Sequence, residues 1–117
     1  MSGGHFAYNR YKIEEMADDL DEAIAANDGA EGYGLSNETI LELRKALALL
    51  RLSFVYVHSI DRLLSCDDGE NTFHKRLKEE VDRLVEAGAI SLSLRQFAHS
   101  QWAESAFVKP KETSDGN

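Results

Sequence analysis

The 117-residue sequence contains one cysteine and one proline, and it has no long hydrophobic run. The single Cys66 excludes an internal disulfide framework and a cysteine-based zinc cluster. No apolar stretch approaches the roughly 18 residues of a membrane-spanning helix. The first residues also lack the apolar segment of a secretory signal. We therefore expect no membrane partner and a reducing, cytoplasmic location.

Basic residues are also in short supply, with 13 Lys and Arg against 21 Asp and Glu and a formal net charge of −8. This deficit argues against direct nucleic-acid binding, because neutralising phosphates requires clustered basic side chains. The imbalance is confined to residues 1–42, which contain two basic and ten acidic residues. Residues 43–117 contain eleven of each. The charge is therefore a property of the N-terminal third.

With its only proline at Pro110, the chain favours long helices. Apolar spacing predicts helices over 13–26 and 37–65, and a third one capped by Asn71 or Thr72. The 37–65 helix begins after Ser36, a favourable cap, and is apolar on two faces. It is predicted to be the central helix, with its second face covered by other helices or by a homodimer contact through residues 37–65.

The segment after Gly88 allows two interpretations. Ile90, Leu92 and Leu94 alternate with polar or small residues, as in a short strand. Because no second strand candidate exists, a Ser93-capped helix running toward Phe107 is favoured. The fold class predicted is all-α, a three- to four-helix bundle around one long central helix. We expect residues 1–108 to form a single helical domain with an N-terminal arm over 1–12, and residues 109–117 to form a flexible tail.

The first predicted helix is strongly acidic on its outer face, which makes it a candidate partner-binding surface. An acidic surface of this kind steers basic partners toward it, although many ordinary exposed helices look the same. The candidate residues are Glu14, Glu15, Asp18, Asp19, Asp21 and Glu22.

A second candidate is an anion-binding site assembled from separate segments. The arm carries a histidine and three aromatic residues beside two glycines, and the end of the central helix places His58, Asp61 and Arg62 on one side. An antiparallel third helix would bring further basic residues close to them. The alternatives are an arm that only pins its aromatic rings to the core, and an ordinary polar helix end. The candidate residues are His5, Tyr8, His58, Arg62, His74, Lys75 and Arg76.

Enzymatic chemistry has weaker support. The Asp67-Asp68-Gly69-Glu70 turn offers oxygen ligands for a divalent cation, but it lacks the EF-hand pattern. Two Glu-x-x-Asp pairs, Glu15 with Asp18 and Glu79 with Asp82, loosely resemble those of the all-α nucleotide pyrophosphatases, which use metal ions held by carboxylates. The first pair departs from the Glu-x-x-Glu pattern of those enzymes. We therefore predict no catalytic residue, no metal site and no cofactor, and a metal-dependent nucleotide hydrolase stays an alternative.

Two segments carry a family resemblance: Ser2-Gly3-Gly4-His5-Phe6 with the nearby tyrosines, and Asp67-Asp68-Gly69-Glu70 with Thr72-Phe73-His74-Lys75-Arg76-Leu77-Lys78-Glu79-Glu80. Together they resemble a family of small, mostly uncharacterised phage and prophage proteins, over the chain up to about residue 85. The resemblance implies an accessory protein of the bacterial host cytoplasm that acts by stoichiometric binding. The leading hypothesis is an inhibitor of a host or anti-phage defence protein with a basic surface, and the alternative is a binder of an anionic nucleotide signal.

Overall fold

The computed structural model describes residues 5–99, which form four helices and no strand. The helices are α1 (Arg10–Ala25), α2 (Asn37–Leu64), α3 (Glu70–Glu86) and α4 (Leu92–His99). None of these helices combines the length and apolarity needed to cross a membrane. The predicted continuation of the last helix toward Phe107 and the predicted tail over 109–117 lie outside the described residues. The all-α bundle around one long helix is confirmed.

The 28-residue α2 is the central element, and α1 and α3 both pack against it. Ser36 caps α2, since its hydroxyl accepts the Thr39 N–H at 3.3 Å, as predicted. The core lies where α2 meets α3 and the segment that leads into α4, around buried Leu52, Val55, Val81 and Ile90. The central position predicted for this helix is thus confirmed, since α2 packs against both α1 and α3.

The apolar surface of α2 is not covered along its whole length. Leu41 and Leu49 remain more than half exposed, at 54% and 55%. The homodimer predicted through residues 37–65 therefore stays a prediction, and these two leucines are the residues that such a contact would cover.

Three predicted helix starts differ in detail from the structure. Helix α1 begins at Arg10 and not at Ile13, so the last residues of the predicted arm form its first turn. Helix α3 begins at Glu70 after an extended Gly69, so the predicted caps Asn71 and Thr72 lie inside the helix. The segment after Gly88 forms a helix, not a strand, within the described residues. Its cap is Ser91 and not Ser93, because the Ser91 hydroxyl accepts a backbone N–H at 3.2 Å. Helix α4 therefore begins at Leu92, two residues earlier in the chain than predicted.

The glycine-rich connection between α1 and α2 is closed by Asn27. The buried Asn27 amide pairs with the backbone of Leu35, accepting its N–H at 2.8 Å and donating to its carbonyl at 3.0 Å. A Cβ at Gly32 would overlap the carbonyl oxygen of Ala26 and lie 2.5 Å from that of Asn27. Only glycine fits at position 32, so the loop is a tight turn that depends on this residue. The turn orients α1 antiparallel to α2.

Candidate protein-binding surface

The N-terminal arm is tied to the far end of α2 by Asp61, whose side chain is only 5% exposed. The Phe6 N–H donates to Asp61 Oδ1 at 2.7 Å, and the Arg10 guanidinium donates to Oδ2. Charge-assisted bonds of this kind are stronger than neutral ones. We call Phe6, Arg10 and Asp61 the arm clamp, because together they fix the start of α1 against α2.

Two tyrosines beside the arm clamp remain exposed. The Tyr8 and Tyr11 rings stack with their centroids 6.3 Å apart, and the Tyr11 ring lies 6.3 Å from the Phe54 ring of α2. The Arg10 guanidinium carbon lies 4.7 Å from the centroid of the Tyr11 ring. Tyr8 is nevertheless 56% exposed. The arm therefore holds these rings in place at the surface and does not bury them in the core.

The six carboxylates predicted on α1 divide into two groups. Asp18 and Asp21 turn toward α2, where Arg51 Nη1 lies 2.9 Å from Asp18 Oδ1 and Arg51 Nη2 lies 3.6 Å from Asp21 Oδ2. Glu14 is half-buried and lines a cavity of about 330 Å³ between α1, α2 and α3, which Arg51 also lines. Asp18 and Asp21 therefore pair with the arginine of the protein's own central helix, whereas Glu14 shares a cavity with that arginine and has no ion pair within residues 5–99.

The other three carboxylates point away from the bundle. Glu15, Asp19 and Glu22 are exposed and form no ion pair within residues 5–99. Their spacing of four and three residues aligns them along one side of α1. Met16, one residue from the start of this row, is 53% exposed. We call this surface the acidic–aromatic face, which comprises Tyr8, Tyr11, Glu15, Met16, Asp19 and Glu22.

The composition of this face suits protein recognition. Tyrosine and methionine are enriched at protein interfaces, where they supply contact area. Unpaired carboxylates add a negative field that accelerates encounter with a basic surface. The acidic–aromatic face thus combines apolar contact with uncompensated charge, and the arm clamp fixes its aromatic end.

The turn between α2 and α3 is built around a buried carboxylate, Asp68. Its oxygens accept bonds from Arg62 Nε at 3.0 Å and Arg62 Nη2 at 3.3 Å, and Arg76 Nη1 lies 4.0 Å away. The hydrogen bond from Arg62 is the main reason that the pKa of Asp68 lies below its ordinary value. The same bond raises the pKa of Arg62. The Asp68 carboxylate is therefore the anion that both Arg62 and Arg76 face.

The residues predicted to form one anion site are distributed over several places. Arg62 and Arg76 meet at Asp68, and His58 lies close enough to contribute to the low pKa of Asp68. His58 also stacks on Phe54, with ring centroids 5.8 Å apart. His5 and Tyr8 belong to the arm, Lys75 is exposed on α3, and His74 lines a groove between α2, α3 and α4. Of the predicted anion-site residues, the antiparallel packing of α2 and α3 brings together only His58, Arg62 and Arg76, around Asp68.

The carboxylate pairs considered for metal-dependent hydrolysis do not face a common centre. Asp18 turns to Arg51, whereas Asp82 Oδ1 lies 3.8 Å from Arg95 Nη1 and 3.5 Å from His99 Nε2 on α4. In the described part of the chain, no three His, Cys, Asp or Glu side chains are grouped so that they could hold a metal ion. The geometry thus adds no support to the hydrolase alternative.

No family model, curated protein or solved structure matches the sequence. The function of the protein is therefore inferred from the residues described above.

Sequence reasoning missed the pairing partners that shape this surface. Arg10 is one of only two basic residues among the first 42, and Asp61 stands in a largely apolar helix. The scarcity of basic residues is a signal that Arg10 needs an opposite charge if it is buried, since buried charges are paired. Asp61 gave no such signal, because the basic Arg62 follows it directly. Arg51 gave none either, because it is one of three arginines in α2 and an arginine is usually exposed.

Proposed function

We propose that this protein acts by stoichiometric binding, as an inhibitor of a host or anti-phage defence protein that presents a basic surface. The acidic–aromatic face would form the contact. The observation that carries the proposal is that Glu15, Asp19 and Glu22 form no ion pair within residues 5–99 and lie beside exposed Tyr8, Tyr11 and Met16, whereas Asp18 and Asp21 of the same helix pair with Arg51.

The choice of carboxylates to mutate depends on whether they pair with Arg51. Reversing Asp18 or Asp21 would leave Arg51 facing a new positive charge, so a loss of binding would be confounded by a loss of stability. Reversing Glu15, Asp19 and Glu22 changes the outward field alone. The triple variant E15K/D19K/E22K therefore isolates the surface from the fold.

The experiment is affinity capture from infected or lysogenic bacterial cells, with wild-type protein, the triple variant and a control compared by quantitative mass spectrometry. The control is Glu79→Lys, which reverses an exposed carboxylate on α3 that has no ion pair within residues 5–99. We expect a protein that is captured by wild type and Glu79→Lys and lost with the triple variant. Its capture should weaken as salt rises, because exposed charges are screened.

A partner that the triple variant retains at wild-type level would refute the role of the acidic–aromatic face. A second pair of variants, Tyr8→Ser and Met16→Ser, tests the apolar part of the contact without changing charge. Because both side chains are more than half exposed, these changes should leave the fold intact. We expect each to weaken capture, as exposed aromatic and methionine side chains do when they anchor an interface.

A further inference from the structure

A groove of about 500 Å³ lies between α2, α3 and α4. This volume lies within the range of about 300–1,000 Å³ that is usual for small-molecule sites. Fully buried Val81 and half-buried Leu77 form part of its apolar lining, and Tyr56 and Phe73 add aromatic surface. The groove is on a different part of the bundle from the acidic–aromatic face.

The polar groups of this groove are basic or neutral. His74 and Lys78 stand one turn apart on α3, and both line it. Neither forms a salt bridge within residues 5–99. His99 also lines the groove, and its Nε2 lies 3.5 Å from Asp82 Oδ1. No acidic side chain of the described chain is part of the lining, although the protein as a whole carries a net charge of −8.

Tyr56 adds a hydrogen-bonding group to the lining. A tyrosine hydroxyl is protonated at neutral pH and can donate a hydrogen bond, and burial raises the pKa of this phenol further. The groove therefore combines two aromatic rings, an apolar floor, a phenol donor and two basic side chains that form no salt bridge within residues 5–99. Aromatic rings favour stacking with a planar ring, and basic side chains favour an anion.

We infer that this groove binds a planar aromatic anion of nucleotide size. The aromatic part would contact Tyr56 and Phe73, and the anionic group would meet Lys78 and His74. A bare inorganic anion would leave the aromatic lining unused, and an uncharged aromatic molecule would leave the two basic groups without a partner. This inference is independent of the proposed protein-binding function, because it uses none of the residues of the acidic–aromatic face.

The test uses isothermal titration calorimetry on the full chain with three probes: AMP, adenosine and inorganic phosphate. We expect AMP to bind more tightly than either of the others. Lys78→Ala should weaken AMP binding by roughly tenfold, as the loss of a charge-assisted contact does. The matched control is Lys75→Ala, which removes the same charge from an exposed position on the same helix outside the groove.

A second variant separates stacking from charge. Phe73→Leu keeps an apolar side chain at this half-buried position but removes the ring, so it should weaken AMP and adenosine and leave phosphate unchanged. The inference is overturned if AMP does not bind, if adenosine binds as well as AMP, or if Lys75→Ala and Lys78→Ala have equal effects. The E15K/D19K/E22K variant should bind AMP like wild type, which keeps this outcome distinguishable from failure of the protein-binding proposal.

Discussion

Replacing Asp61 with asparagine tests whether the arm clamp stabilises the fold. The substitution preserves shape, and the asparagine oxygen can still accept the Phe6 N–H. It removes the charge that faces Arg10, whose side chain is only 12% exposed. Breaking a buried ion pair from one side costs about 3–5 kcal/mol when the remaining charge stays buried. Because Arg10 is the first residue of α1, its side chain can rotate toward water, which lowers the expected cost to about 2–3 kcal/mol.

The opposite change, Arg10→Met, should cost more. Asp61 lies within α2 and cannot move into solvent, so its carboxylate would keep only the Phe6 N–H as a partner. We expect about 3 kcal/mol or more, near the lower limit for an uncompensated buried charge. In the double variant neither charge remains. Its cost should therefore fall below the sum of the two single costs by at least about 1 kcal/mol.

Urea unfolding followed by circular dichroism measures these three free energies, and thermal unfolding provides a check. A loss of about 2–3 kcal/mol should lower the Tm by roughly 10 °C in a domain of this size. Additive costs, within the usual scatter of about 0.5 kcal/mol, would mean that the two side chains do not interact. That result would refute the arm clamp as a stabilising pair.

Two further predictions concern the turns at either end of α2. Gly32→Ala should destabilise the protein by roughly 2 kcal/mol, because the added methyl group overlaps backbone atoms that cannot move away. Gly69→Ala is the control, because its Cβ would lie in open space, and it should change the unfolding free energy little. Equal midpoints for the two in urea would contradict this account of the α1–α2 loop. For Asp68, the lowered pKa means that the folded state favours the carboxylate, so its stabilising contribution is present above the unfolded-state pKa and is lost as pH falls through the folded-state value. Asp68→Asn should therefore be less stable than wild type near neutral pH and should approach it in acid; a difference that is constant with pH would show that Arg62 does not act on this charge.

The helices could be predicted from the sequence because each one has a strong apolar period and few competing signals. Ser36 and the unbroken pattern that follows it set the start of α2 correctly. The start of α3 could not be predicted in the same way. Asn71 and Thr72 are favourable caps, and they compete with Gly69, the extended residue that precedes the helix in the structure. The buried Asp68, bonded to Arg62, decides where the helix starts. Likewise Ser91 and Ser93 are equally good caps until the packing of Ile90 fixes where α4 begins.

The candidate sites were predictable only where local spacing determines them. Glu15, Asp19 and Glu22 share a side of one helix, so the sequence alone places them together. Arg51 is far from α1 in sequence, and its pairing with Asp18 depends on how the two helices pack. The groove between α2, α3 and α4 depends on three elements at once, which is why Tyr56 and His99 gave no sign of sharing a site.

If the acidic–aromatic face is the contact proposed above, the arm clamp links stability to recognition. Asp61 holds Phe6 and Arg10, which flank Tyr8 in the chain, so the binding-competent population would be the clamped one. When that population is a fraction of the whole, the apparent Kd is the intrinsic Kd divided by the fraction. By the same linkage, a bound partner would raise the unfolding free energy in proportion to the logarithm of its concentration. A carboxylate outside the proposed contact would thus set how much of the protein is ready to bind.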